Sequence, residues 1–314
     1  MGASDQHRVE LDFVVTFRNG GGLQGQGFRL DIPGDDIDDA QAAALVVREL
    51  GLLMVDQVRI ESRRIVAEPH RRQAARVSDG SATRLLELSH VVRHGLVTYP
   101  GLPAPIIGDH LTREASRATY APGTEFHIGR IEMVANTGTY VDAPSHRFAE
   151  GADLASLPLG RVADVPGVVV DARGSTDRAI GAEAFLPYQT SGRAVLVLTG
   201  WSRHFGTPAY ATGHPFLTEP AARHLVEAGA TIVGIDSLNI DDTADPRRPV
   251  HTALLAAGIP VCEHLARLET LPTTGFRFSA APVAVEGMGT FPVRAWAAVT
   301  GAQAPGVAGV ESDR

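Results

Sequence analysis

Four short apolar runs most limit the folds open to this chain: residues 168–171 (VVVD), 194–198 (AVLVL), 231–236 (TIVGID) and 259–265 (IPVCEHL). Each is short, continuous, rich in valine or isoleucine and bounded by turn or helix signals. Such runs read as strands buried on both faces rather than as amphipathic helices. Helical signals alternate with them. Thr218 is a good N-cap for a helix over 219–228, with Gly229 ending it, and residues 249–257 form a short helix that carries His251. Residues 276–286 and 293–299 read as closing strands. The pattern is that of an α/β fold. Asp236 and Ser237 fall at the C-terminal end of a buried strand, the kind of place where ligands gather in open sheets.

The chain before this region is different in kind. Residues 1–9 read as a frayed tail, followed by a β-rich run (FVVTF, 13–17), a turn (RNGGG, 18–22) and a second β-like run at 27–32. Acidic residues 35–39 precede a helix at 40–50, where aspartates satisfy free N–H groups and oppose the helix dipole. Residues 55–60 give a third strand. Residues 1–62 are therefore predicted as a small N-terminal β-β-α-β module. Its glycine-rich turn lacks the strand–loop–helix order and the lysine of a phosphate loop, and reads as a hairpin turn. Residues 63–84, rich in arginine, read as a linker. The main domain covers 85–301, with its strand at 126–134 half-buried by its alternation, and 302–314 form a tail.

With 314 residues, 44% hydrophobic and 20% charged, the chain can bury a sizeable core. A net charge of −8 argues against a general nucleic-acid binder but leaves room for a local basic patch. Cys262 is the single cysteine, which rules out an internal disulfide or a cysteine metal cluster. No leader-like start and no membrane-length apolar run are visible. The expectation is a cytoplasmic protein acting on a small molecule, without nucleic-acid or membrane partners.

Residues 135–148, ANTGTYVDAPSHRF, concentrate Asn136, Tyr140, Asp142 and His146 in one short segment. A carboxylate and an imidazole this close can share a cation or form an acid–base pair. Asp142 beside Pro144 can equally stabilise a turn, and Tyr140 can be core packing with a bonded hydroxyl. The segment resembles the signature of the cyclase family, H-x-G-T-H-x-D-x-P-x-H, which includes bacterial kynurenine formamidase and isatin hydrolase. Gly138, Thr139, Asp142, Pro144 and His146 match it; Asn136 and Tyr140 stand where it has histidines. Further pieces resemble family segments in family order: TGW (199–201), GIDS (234–237), PVHTALL (249–255), PVCEHL (260–265), then P-V-x-x-E-G and PVRA (292–295). The likeness spans 86–299.

The resemblance implies a mixed β-sheet with a barrel-like core and flanking helices, a homo-oligomer, and a divalent metal held by the motif with a later His and Glu. The retained positions are Asp142, His146, His251 and Glu263, a chemically sound set for one zinc or manganese. If no metal binds, Asn136 steers a carbonyl oxygen, Tyr140 exchanges a proton, and His146 is the acid–base oriented by Asp142 or Glu263. Trp201 and Tyr99 are expected to line the substrate pocket. The implied reaction is attack at the carbonyl of a small cyclic or aryl, amide- or ester-like substrate. It proceeds by hydrolysis or by metal-independent elimination, isomerisation or cyclisation, as a hydrolase- or lyase-type enzyme. The alternative is a binding or scaffold protein with a degenerate site. The N-terminal module either caps the cleft or builds an oligomer interface.

Overall fold

The computed structural model describes residues 6–32, 34–68, 83–174 and 177–300. Strands β1 (Gln6–Phe17), β2 (Gly22–Ile32) and β3 (Val55–Glu68) form an antiparallel sheet in the order β2-β1-β3, with helix α1 (Asp39–Leu50) packed on it. Alternate residues of β1, Val9, Leu11, Phe13, Val15 and Phe17, are all buried, as the period of two requires when one face of a strand is covered. The glycine-rich segment is the β1–β2 turn: Gly20 takes φ 84° and donates its N–H to the Phe17 carbonyl. Helix α1 starts in a reciprocal cap between Asp38 and Gln41 and ends at Gly51 in the left-handed region.

Two expectations fail here. The predicted tail at 1–9 is strand from Gln6 onward, while residues 1–5 lie outside the described residues. The third strand does not stop near 60 but runs to Glu68, so the first part of the predicted linker pairs with β1, Ile65 opposite Val9 and Arg64 opposite Glu10. Arg64 and Arg29 both bond Glu10, while Arg63, opposite Leu11, reaches Asp36 and Asp39 at the start of α1, so these two arginines of the predicted linker belong to the N-terminal sheet. The linker's remainder, 69–82, lies outside the described residues.

The rest of the chain supplies β4 (Arg84–Glu87), β5 (Ile106–Leu111), α2 (Arg113–Ser116), β6 (Ile128–Glu132), β7 (Tyr140–Asp142), β8 (Val165–Asp171), β9 (Ala179–Ile180), β10 (Ala194–Leu198) and β11 (Phe216–Leu217). It continues with α3 (Glu219–Glu227), β12 (Ile232–Ile235), α4 (Pro249–Ala256), β13 (Val261–Glu263), β14 (Phe276–Ser279), β15 (Thr290–Pro292) and β16 (Trp296–Val299). Nine of these strands make one curled, mixed sheet in the order β15-β7-β13-β12-β10-β8-β14-β16-β4. Its centre, β13-β12-β10-β8, is parallel; the flanks are antiparallel. Val168, Val170, Val195, Val197, Val233 and Ile235 pack on α3 and α4, while Val169, Ala194, Leu196, Leu198 and Ile232 fill the opposite face with Phe276 and Phe278. Both faces are buried, which is why these strands are continuous apolar runs. The N-cap read at Thr218 is present: its hydroxyl accepts from the Ala221 N–H.

The run at 126–134 is not half-buried. Its strand, β6, pairs only with β5 as a two-stranded ribbon, and every residue of β6 is exposed. Alternation shows which side chains share a face, not whether a layer covers that face. The closing strand expected over 276–286 ends at Ser279, and that over 293–299 begins only at Trp296, as β16. The N-terminal sheet touches the main body through the Leu53 N–H to the Pro187 carbonyl (2.7 Å), a Leu52–Tyr188 bridge, and Asn19 to the Glu183 carbonyl.

Candidate active site

Strand β7 sits between β13 and β15, and its alternation builds the site. Tyr140 lies opposite Glu263 and Asp142 opposite Thr290. Val141 points the other way and joins Cys262 in the apolar core. The chain enters β7 through Gly138 at φ 69°, whose N–H is held by the Thr98 hydroxyl (2.8 Å). It leaves through a tight turn, Pro144–His146. That turn packs directly on Gly289, where a Cβ would lie 2.3 Å from the His146 nitrogen.

Asp142, His251 and Glu263 are buried, and their ligand-type atoms all lie within 4.8 Å of one another. Asp142 Oδ1 accepts the Thr290 hydroxyl. Its Oδ2 has no hydrogen-bond partner and lies 3.5 Å from His251 Nε2, which is 3.6 Å from Glu263 Oε1. The other ring nitrogen of His251, Nδ1, is 2.7 Å from Asp241 Oδ2, and Asp241 also accepts the N–H groups of Val250 and His251 at the start of α4. A carboxylate behind the ring fixes its orientation and turns Nε2 toward the other two groups, the arrangement that supports a metal-bound histidine. Burial opposes a charge on His251, but the nearby carboxylate of Asp142, the bond to Asp241 and the charge of Glu263 outweigh it and push its pKa up to about 10. Glu263 is pushed upward, first by burial and then by Asp142, against the pull of His251. A buried carboxylate oxygen with no partner is costly. Two carboxylates and one imidazole converging there suit a single divalent ion such as zinc or manganese.

The other side of Glu263 is a hydrogen-bond chain. Tyr140 Oη donates to Glu263 Oε2 (2.7 Å) and lies 3.2 Å from His264 Nε2, whose Nδ1 is 2.9 Å from Tyr210 Oη. Burial, followed by the charges of Glu263 and Asp142, lifts the Tyr140 phenol well above its ordinary pKa of 10. It therefore stays protonated, and is a donor rather than a phenolate ligand. His264 is pushed down to about 3, chiefly by burial, and is neutral. With the Tyr140 proton on the Glu263 bond, His264 Nε2 carries hydrogen toward Tyr140, and Nδ1 accepts from Tyr210.

Tyr140, Asp142, His251 and Glu263 face a cavity of about 440 Å³ that is also lined by Tyr99, Asn136, His146, Asn239 and Arg248. Of the residues singled out from sequence, Tyr99, Asn136, Tyr140, Asp142, His146, His251 and Glu263 all meet here. His146 does not complete a four-ligand cage: its Nδ1 is bonded to the Thr290 hydroxyl (2.7 Å) and stands 3.6 Å from Asp142 Oδ1. The Thr290 hydroxyl has one proton and gives it to Asp142. It must then accept from His146 Nδ1–H, which leaves the lone pair of neutral His146 on Nε2. Trp201 corrects the expectation of a pocket wall. It is not among the cavity's lining residues, and its Nε1 donates to the Tyr210 carbonyl (3.1 Å) while its ring packs near His204. The N-terminal sheet contributes no described residue to the cavity, against the expectation of a cap. Asp241, His264, Tyr210 and Thr290 were not picked out from sequence. Asp241 lies ten residues before His251, and His264 beside Glu263 read only as the end of a strand.

A family model described as "Putative cyclase" matches residues 86–242, half of the chain, and the protein belongs to that cyclase family. It is 25% identical over 214 residues to a kynurenine formamidase of Bacillus cytotoxicus, covering 68% of this chain and 97% of that one. It is 27% identical over 190 residues to the kynurenine formamidase of Geobacillus thermodenitrificans, covering 60% and 88%. Among solved structures, a potential metal-dependent hydrolase with cyclase activity superposes with a TM-score of 0.57 at 26% identity, over 70% of this chain and all of that one. Isatin hydrolase A from Labrenzia aggregata gives 0.60 at 24% identity over 70% and 95%, a likeness of fold.

Proposed function

We propose that this protein is a hydrolase that opens the carbonyl–nitrogen or carbonyl–oxygen bond of a small cyclic or aryl amide- or ester-like substrate in the Tyr140 cavity. The observation that carries the reading is the convergence of Asp142, His251 and Glu263, with an unpartnered buried Asp142 oxygen, on the wall of a substrate-sized cavity. The family context supports it, because the relatives it resembles carry the names of amide-opening enzymes. Asp142, His251 and Glu263 would hold one divalent ion, which when bound polarises a carbonyl and makes water acidic.

The chain's own groups account for the remainder. His146, held through Nδ1 by Thr290, offers Nε2 as the base that takes a proton from the attacking water. Tyr140, protonated and aligned by Glu263 and His264, would turn its proton from Glu263 to the oxygen or nitrogen that gains charge once substrate is bound. Asn136, bonded to Tyr140, adds an amide donor next to that hydroxyl. Tyr99 supplies an aromatic wall for a planar substrate. The homo-oligomeric state implied by the resemblance and the cytoplasmic location expected from the sequence stand as part of this proposal. Turnover of an aryl formamide and of an isatin-type cyclic amide, measured before and after chelation, tests the reading. Ring opening or deformylation lost on chelation and restored by zinc or manganese is expected. Release of every such compound chemically unchanged would instead favour a binding role.

A further inference from the structure

A second cavity, of about 1060 Å³, shares no lining residue with the first. It opens at the carboxyl ends of the parallel strands, the side of an open sheet where ligands collect. Arg173 follows β8, Arg203 follows β10 and Arg267 follows β13, while Arg93 and Arg294 come from segments next to β4 and β16. Five arginines thus meet two glutamates in one concavity of a chain whose net charge is −8. Arg294 is paired with Glu87 and Arg173 with Asp171. Arg93, Arg203 and Arg267 have no carboxylate partner among the described residues.

Two of these groups, Arg267 and Arg203, are fixed from behind. Arg267 Nε donates to the Glu87 carbonyl (2.8 Å), and Arg203 to the Gly200 carbonyl (3.0 Å). Each guanidinium keeps further N–H groups to offer. The turn at Gly200 is itself pinned, because buried Asp236 accepts the N–H groups of Thr199 (2.7 Å) and Gly200 (2.8 Å). His90 lines the cavity with its ring stacked on Phe205 at 3.7 Å, and its Nε2 is buried without a hydrogen-bond partner. A preorganised wall and guanidinium groups without carboxylate partners, gathered in one concavity, together describe a site suited to an anion.

We propose that this cavity binds a small polyanion bearing at least two phosphate or carboxylate groups, held by Arg93, Arg203 and Arg267. Guanidinium forks match both oxyanions in paired hydrogen bonds. The site is a concavity rather than a basic stripe, and the chain as a whole is acidic; both favour a small ligand over a nucleic acid.

Isothermal titration of the full chain with pyrophosphate and, separately, with citrate tests this at low and raised salt. Binding to one site per chain is expected, weakening with salt and falling at least tenfold in the Arg203→Ala/Arg267→Ala double variant. The control Arg59→Ala, which removes an exposed arginine of β3, is expected to bind as the unaltered chain does. A preference for pyrophosphate assigns phosphate groups, and a preference for citrate assigns carboxylates. Melting curves establish that the variants fold, and Arg93→Ala, at an exposed position, replaces the double variant if it does not. Heat that survives the arginine substitutions would mean chelation or binding elsewhere and would overturn the proposal. So would equal loss in Arg59→Ala, silence with both anions at millimolar concentration, or binding of an RNA oligonucleotide where neither small anion binds.

Discussion

The two sides of Glu263 handle burial in different ways. Toward Asp142 and His251 the structure gathers charge: two carboxylates and an imidazole within reach of one cation, with one oxygen left unpartnered. Toward Tyr140, His264 and Tyr210 it gathers neutral groups, each hydroxyl and ring nitrogen used in a directed chain. The first arrangement is stable only with added positive charge, whether from a metal or from a protonated His251. The second needs nothing further. Glu263 belongs to both, accepting Tyr140 through one oxygen and facing His251 with the other, so a change on either side is felt on the other. The difference teaches that the side facing Asp142 is built to hold a cation and the side facing Tyr140 to hold a proton.

The largest expected effect is on the charged side. Asp142→Ala removes the unpartnered oxygen and leaves Thr290 and His146 without their anchor; turnover of the aryl formamide is expected to vanish together with bound metal. Persistence of either would separate Asp142 from the site. Tyr140→Phe breaks the neutral side alone. It is expected to lower kcat by roughly 10²–10³-fold while metal content stays unchanged, and a variant that loses metal instead would erase the distinction between the two sides. Asp241→Asn, behind His251, is expected to weaken metal retention by roughly 10- to 100-fold, read by competition with a chromophoric chelator.

The smallest effect is one of stability. His264 is held down to about 3 and His90 to about 4, both chiefly by burial. Between those values and the ordinary histidine range near 6.5, the unfolded chain binds more protons than the folded one. Stability contributed at neutral pH is therefore lost as pH falls below about 6.5, on the order of 3 kcal/mol for His264 by pH 4. His264→Asn, which tolerates the φ of 56° at this position, is expected to reduce that acid sensitivity in urea melts. An unchanged slope of stability against pH would show that His264 is not the neutral buried link described.

The central strands were legible because they are covered on both faces: a run such as AVLVL can be little else. The site was legible where chemistry and sequence proximity coincide, as in Tyr140, Asp142 and His146, and where a polar residue ends an apolar strand, as in Glu263. Asp241 and Thr290 were not legible. Their importance lies in which neighbours the sheet order gives them, across 10 and 148 residues, and no local pattern encodes that. Trp201 misled because an aromatic beside a glycine turn looks like a pocket wall, whereas its indole N–H is spent on a carbonyl behind the cavity. The alternation at 126–134 misled for a related reason, since it marks two faces without saying what covers either.

The most direct measurement is the metal content of the full chain purified without chelator, by elemental analysis, set against that of Asp142→Ala and Tyr140→Phe. The account predicts about one zinc or manganese per chain, retained in Tyr140→Phe and lost in Asp142→Ala. A fully active protein that carries no metal, or one whose metal survives Asp142→Ala, would contradict it.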